Sequence, residues 1–84
     1  MAMRGIVSAI NPRRGMVALQ TGHGFTIIEL LGNDEIEIGD ELCWSDDTGL
    51  GSENYRNITK GTRFEVFVQN HWVSERQLRQ QLLL

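Results

Sequence analysis

The sequence predicts an all-β protein: a small barrel of five strands, followed by an added C-terminal strand and a short α-helix. Three observations carry this reading. Apolar and β-branched segments of about six residues recur between short turns rich in Gly, Asn and Asp. The side-chain period stays near two until about residue 73 and becomes helical only in the last ten residues. At 84 residues there is room for one domain. An open sheet of that size would leave its edge strands unpaired, and closure into a barrel removes the edges.

Gly5 to Ile10 reads as the first strand, and Asn11-Pro12-Arg13-Arg14-Gly15 as the turn after it. Met16 to Thr21 is the second strand. Gly22-His23-Gly24 turns into the third, Phe25 to Leu30, which completes an antiparallel meander. Leu31 to Gly39 is an acidic connection anchored by Ile36 and Ile38. The fourth strand, Glu41 to Ser45, sets Leu42 and Trp44 on one face and Glu41 and Cys43 on the other. Asp46 to Glu53 reads as a loop, Tyr55 to Thr59 as the fifth strand, and Lys60-Gly61 as a turn. In the added strand, residues 62–69, Phe64, Val66 and Val68 alternate with Glu65, Phe67 and Gln69; Phe67 either packs under the helix or is exposed. The helix, residues 74–83, has Ser74 as its cap, Gln77 to complete a capping box, and Val73 and Leu78 as a hydrophobic staple. Leu78 and Leu82 share one of its faces. A helix this short needs a surface to pack on.

Composition narrows the function classes. The 40 % apolar and 23 % charged residues are those of an ordinary folded chain, so disorder is not expected. Cys43 is the one cysteine, which excludes an internal disulfide framework and suits a reducing compartment. No apolar run is long enough for a membrane span, and Met1-Ala2-Met3-Arg4 reads as neither a signal nor a transit peptide; a cytoplasmic protein with no membrane partner is expected. The net charge of −3 is unevenly spread. Residues 1–28 carry Arg4, Arg13 and Arg14 without an acid, whereas residues 29–53 carry nine acids without a base. Residues 54–84 are basic again through Arg56, Lys60, Arg63, Arg76 and Arg79 against Glu65 and Glu75. Such a chain binds a polyphosphate only if its few bases converge. Otherwise its opposite patches interact within or between molecules.

The pattern Arg4-Gly5-Ile6-Val7-Ser8-Ala9-Ile10-Asn11, Arg14-Gly15-Met16-Val17-Ala18-Leu19 and Gly24-Phe25-Thr26-Ile27-Ile28 resembles the first three strands of a cold-shock-type OB domain. Gly39-Asp40-Glu41-Leu42-Cys43-Trp44 is similar to that family's glycine-led fourth strand, and Gly51 to Thr59 to its loop and fifth strand, with Asn57-Ile58 at its Asn-Val. The resemblance covers residues 4–59, two thirds of the chain. It implies an OB-type barrel and binding of single-stranded RNA or DNA, which the family achieves by stacking bases on aromatic residues within a basic surround. Those aromatic positions fall here at Ala9, Met16, Ala18, Thr26 and Ile28, and none is aromatic. Each stacked base contributes roughly 1–3 kcal/mol, so that source of affinity is missing.

No catalytic constellation is present, and no cofactor is expected. Cys43, His23 and His71 match no zinc spacing, so no metal site is expected. Gly22-His23-Gly24 and Gly49-Leu50-Gly51 lack the third glycine of a dinucleotide loop, and the acidic segment has no apolar pocket to tune a carboxylate pair. Asn57-Ile58-Thr59 is a chance glycosylation sequon.

Two functions are therefore expected to compete. The first is weak, electrostatic binding of single-stranded nucleic acid through Arg4, Arg13, Arg14, Met16, Arg56, Lys60 and Arg63. Arg13 and Arg14 are either phosphate contacts or a solvated turn. The second is a protein-interaction or self-assembly module built on Phe67, His71, Trp72, Leu78 and Leu82, with a protein partner or a second copy covering the leucines of the helix. Within it, Trp72 of Asn70-His71-Trp72 either lines a groove or, as its large apolar area favours, covers the open end of the barrel.

Overall fold

The computed structural model describes residues 3–32, 35–45 and 50–82. Asp34, Asp46 and Asp47 of the acidic segment, and Leu83 and Leu84, lie outside them. Six strands form a closed barrel: β1 (Met3–Asn11), β2 (Met16–Thr21), β3 (Gly24–Leu30), β4 (Glu41–Trp44), β5 (Gly51–Asn57) and β6 (Thr62–Val73). Around the ring the order is β1-β2-β3-β6-β5-β4, and β4 returns to β1.

Every neighbouring pair is antiparallel. A ring of strands can be antiparallel throughout only when their number is even. The expected added strand is what makes it so, since β6 is a stave of the barrel between β3 and β5 rather than an appendage. It is also longer than expected, and the segment Asn70 to Val73 belongs to it. Its first part pairs with β5 over Thr62 to Val68 and its last part with β3 over Val66 to Val73. To follow the curvature β6 carries two extra residues relative to β3, one between the partners of Ile28 and Ile27 and one between those of Ile27 and Phe25. Trp72 lies in the second irregularity with φ 57°, the left-handed region that bulky residues avoid. Strand β5 starts at Gly51, inside the expected loop, because its pairing with β6 extends from Asn57 opposite Thr62 to Gly51 opposite Val68.

Two apolar clusters result. Val7, Val17, Leu19, Ile28, Leu42, Trp44, Tyr55, Phe64, Val66 and Val68 fill the barrel. Trp44 and Tyr55 stack there with ring centroids 4.7 Å apart and 6° between planes. Gly5 leaves room for them, since a Cβ at that position would lie 3.3 Å from the Trp44 ring. Among the described residues the Tyr55 hydroxyl and Trp44 Nε1 have no hydrogen-bond partner; burial, and then the nearby Glu53, push the phenol's pKa up. The second cluster lies outside the barrel wall, where Met16, Ala18, Ile27 and Val73 meet Leu82, flanked by Ala9, Phe25 and Leu78.

The C-terminal segment makes that second cluster. It is shorter than the helix expected over residues 74–83: a 3₁₀ turn, Glu75–Gln77, followed by one α-helical turn, α1 (Leu78–Gln81). Ser74 has extended N-cap geometry, but its side chain makes no capping bond. Tertiary contacts replace the cap. Leu82 is buried on the sheet, and Asn11 Nδ2 donates to the Leu82 carbonyl at 2.8 Å. Ala9 and Ala18 are cross-strand partners with small side chains, so the segment can approach closely. This explains why Met16, Val17, Ala18 and Leu19 are all buried: Val17 and Leu19 face the lumen, Met16 and Ala18 the segment. Leu82→Ala should lower the unfolding free energy by roughly 2–5 kcal/mol in urea titrations. A loss below about 0.5 kcal/mol, the scale of an ordinary surface substitution, would mean that the segment is not docked.

Candidate nucleic-acid interface

The C-terminal segment covers the outer face of β1, β2 and β3, so an accessible surface must be sought on the other half of the barrel. There the pairing registers line up four outward-facing residues. Arg4 on β1 is opposite Cys43 on β4, Cys43 is opposite Arg56 on β5, and Arg56 is opposite Arg63 on β6. Adjacent strands are about 4.8 Å apart, so the three guanidinium groups share one row across four strands. All three arginines are exposed, and Cys43 is half-buried among them. The next rows on β5 and β6 are Asn54 opposite Glu65 and Ser52 opposite Phe67, and Phe67 also faces Glu29 of β3. Phe67 is exposed, the second of the two possibilities left open by its alternation.

Electrostatics divides the seven expected contacts. Among the described residues Arg56 and Arg63 have no carboxylate partner, and like charges directly opposite one another on a sheet repel. Arg4 Nη1 is 3.2 Å from Glu41 Oε2, an exposed pair that water weakens. Lys60 is committed elsewhere: its Nζ lies 3.0 Å from Glu37 Oε1 and 3.4 Å from Asp40 Oδ2, and donates to the Glu35 carbonyl at 3.3 Å. Arg13 and Arg14 are exposed at the β1–β2 turn, where the Asn11 side chain accepts from the Arg13 amide at 3.2 Å. They are nine and ten residues from Arg4, toward the other end of β1. Met16 is buried beneath Leu82, on the covered half of the wall and away from the arginine row.

The Lys60 contacts belong to a polar clasp that fixes the row's position. Buried Asp40 accepts at Oδ2 from Asn57 Nδ2 at 2.9 Å and from the Glu37 amide at 3.1 Å. Asn57 Oδ1 accepts from the Lys60 amide at 3.1 Å, and the Asp40 carbonyl accepts from the Val7 amide at 2.9 Å. The clasp thus ties β1, the start of β4 and the β5–β6 turn together. Burial by itself would raise the Asp40 pKa, but the bonds from Asn57 and Glu37 and the Lys60 ammonium outweigh it and hold the carboxyl below its ordinary 3.8. Its bond to Glu37, opposed by burial and aided by Asp40, holds Lys60 above its ordinary 10.5.

The residues of the second expectation are dispersed. Leu78 is half-buried and Leu82 buried against the chain's own sheet. Trp72 does not cover the barrel end; it is 40 % exposed, because the irregularity in β6 turns it outward and Leu82 supplies the apolar cover. His71 Nδ1 is 3.1 Å from Thr26 Oγ1. An open cleft of about 390 Å³ lined by Met16, Gln69, Gln80 and Gln81 offers a ligand no charge. Among the described residues no cluster of three or more His, Cys, Asp or Glu side chains is formed, and no helix is long and apolar enough to cross a membrane.

No family model, curated protein or solved structure matches this chain. What distinguishes it is therefore its own geometry. Sequence reasoning missed Cys43 as the centre of the row and Asp40 and Asn57 as its anchor; the pair Asp40…Asn57 had no motif to reveal it.

The clasp carries a pH dependence. Asp40 is more acidic in the folded chain, so its contribution is complete above the unfolded value near 3.8 and is lost as pH falls through the lower folded value. The Lys60 contribution is complete below 10.5 and is lost as pH rises through its raised folded value. Asp40→Ala should cost about 1–3 kcal/mol at neutral pH, by leaving Asn57 and the Glu37 amide unpaired, and should flatten the acid limb of stability against pH. Parallel acid limbs in urea titrations of the two proteins would remove Asp40 from this role.

Proposed function

We propose that this protein is a small non-catalytic barrel that binds single-stranded RNA or DNA by its phosphates. The proposed site is the outer face of β1, β4, β5 and β6. One observation carries the reading: the cross-strand row Arg4, Cys43, Arg56, Arg63, in which two directly opposed arginines have no carboxylate partner among the described residues. Holding those charges together costs the fold free energy that an anion along the row would return. A flexible phosphate chain suits a linear array of guanidinium groups that fork onto phosphate oxygens. Net charge −3 keeps such binding weak and local.

The same proposal treats the barrel as an OB-type scaffold enlarged by one strand. The order β4-β1-β2-β3, with β4 reached by a long connection, is a Greek key, the element from which OB barrels are made. The resemblance over residues 4–59 supports this, with the interface moved from the covered β2–β3 face to the open one. A second reading, contact with a protein partner, is favoured by Phe67 alone, an exposed aromatic between Ser52 and Glu29. For self-assembly through the terminal helix, Leu82 is buried on the chain's own sheet, and Leu83 and Leu84 lie outside the described residues.

Fluorescence anisotropy with a labelled mixed-sequence single strand, repeated over a range of salt, tests the proposal. With about two to three phosphates neutralised, the slope of log K against log salt should be about −1.4 to −2. Arg63→Glu should abolish binding while raising stability by about 0.2–1 kcal/mol, because it pairs Arg56 instead of repelling it. Arg13→Ala with Arg14→Ala should leave affinity within about twofold. Absence of binding at low salt, together with size that grows with concentration, would replace this reading with the protein-contact one.

A further inference from the structure

Trp72 combines three properties that packing does not explain. It is 40 % exposed, it is the one described non-glycine residue with positive φ, and two other rings lie against it. Glycine would take φ 57° without strain, whereas an indole there pushes its Cβ toward the following carbonyl. The barrel needs an irregularity at this point of β6 but has no need of this side chain, which contributes to neither apolar cluster.

The surroundings are built to hold the ring still. His23 meets it edge-on, with centroids 5.2 Å apart and planes at 72°. His71 lies on another side at 5.3 Å and 39°. Each histidine is fixed in turn. Thr21 Oγ1 accepts from the His23 amide at 3.1 Å and donates to the Gly24 carbonyl at 2.7 Å, which pins the β2–β3 turn. Buried Thr26 holds His71 at 3.1 Å. Gly24, with φ 118°, brings that turn onto β6, since a Cβ there would lie 3.3 Å from Trp72 Cα. A strained, exposed indole fixed by two neighbours is a preorganised stacking surface.

We propose that Trp72, braced by His23 and His71, is a stacking platform for one unpaired nucleobase of the strand whose phosphates the arginine row holds. The inference rests on the proposed function and supplies what the arginines lack, a contact that senses bases. It lies outside the resemblance to the cold-shock family, on a strand that the resemblance does not cover. Arg63 and Trp72 are on the same strand, nine residues apart, or about 30 Å of extended chain, so a strand must be several nucleotides long to reach both.

The test compares a single strand of about twelve nucleotides, within the usual range for one barrel, with an abasic strand carrying the same phosphates. Wild-type protein should bind the base-bearing strand about 5- to 150-fold more tightly, the equivalent of the roughly 1–3 kcal/mol of one stacked base. Its exposed-tryptophan emission should be quenched by the first strand and not by the second; Trp44 is buried and stacked and reports the fold instead. Trp72→Gly should bind both strands alike, at the abasic level, with a urea midpoint equal to or above wild type. Trp72→Asn, which also tolerates positive φ, should behave the same way if the glycine variant proves unstable. Undiminished preference for bases in a folded Trp72 variant overturns the platform. Equal binding of both strands by wild type, abolished by Arg63→Glu, overturns it too and leaves the phosphate row standing. No binding of either strand overturns both.

Discussion

The structure depends on the pairing of β6 with β3. Without that ladder the meander β1-β2-β3 would end in an open edge at β3, and β6 would have β5 as its one neighbour. With it, an even number of strands closes antiparallel throughout, and every strand has two neighbours. Ten side chains, Trp44, Tyr55 and Phe64 among them, then fill a lumen small enough to need no ligand.

Closure has two further consequences. To bend around from β5 to β3, β6 takes up two extra residues, and one of these irregularities presents Trp72 to solvent in a strained conformation. The chain then leaves β6 at Val73, beside β3, and its last turn falls across β3, β2 and β1. Leu82 seals Met16, Ala18 and Ile27, with Phe25 at the margin. Covering one half of the wall leaves the other half exposed, where the registers gather Arg4, Arg56 and Arg63 and the Asp40–Asn57–Lys60 clasp holds β4 and the β5–β6 turn in register.

The strands were legible in the sequence because most alternate. Phe64, Val66 and Val68 against Glu65, Phe67 and Gln69 mark β6 unmistakably, and Leu42 and Trp44 mark β4. The covered face was legible too, in a signal that went unused: Met16-Val17-Ala18-Leu19 does not alternate, and an unbroken apolar run in a strand means that both faces are buried. The arginine row was not legible. Residues 4, 43, 56 and 63 become neighbours only through three separate registers, and shifting any one of them by a single residue would turn its arginine inward. Lys60 misled for a related reason, since its partners Glu37 and Asp40 are twenty or more residues away and meet it only across the closed end. The large area of Trp72 favours a cover for the barrel end, and nothing in local spacing announces the irregularity that exposes it.

The central claim is that recognition belongs to the open half of the wall. A ¹H–¹⁵N correlation titration with a mixed-sequence single strand at low salt maps it residue by residue. The expected result is shifts at Arg4, Cys43, Arg56, Arg63 and Phe67 that vanish as salt is raised, with Met16, Ala18 and Ile27 unmoved. Shifts centred on Met16, Ala18 and Ile27, or on Arg13 and Arg14, would contradict it and place the ligand on the face that the C-terminal turn now covers or at the far hairpin.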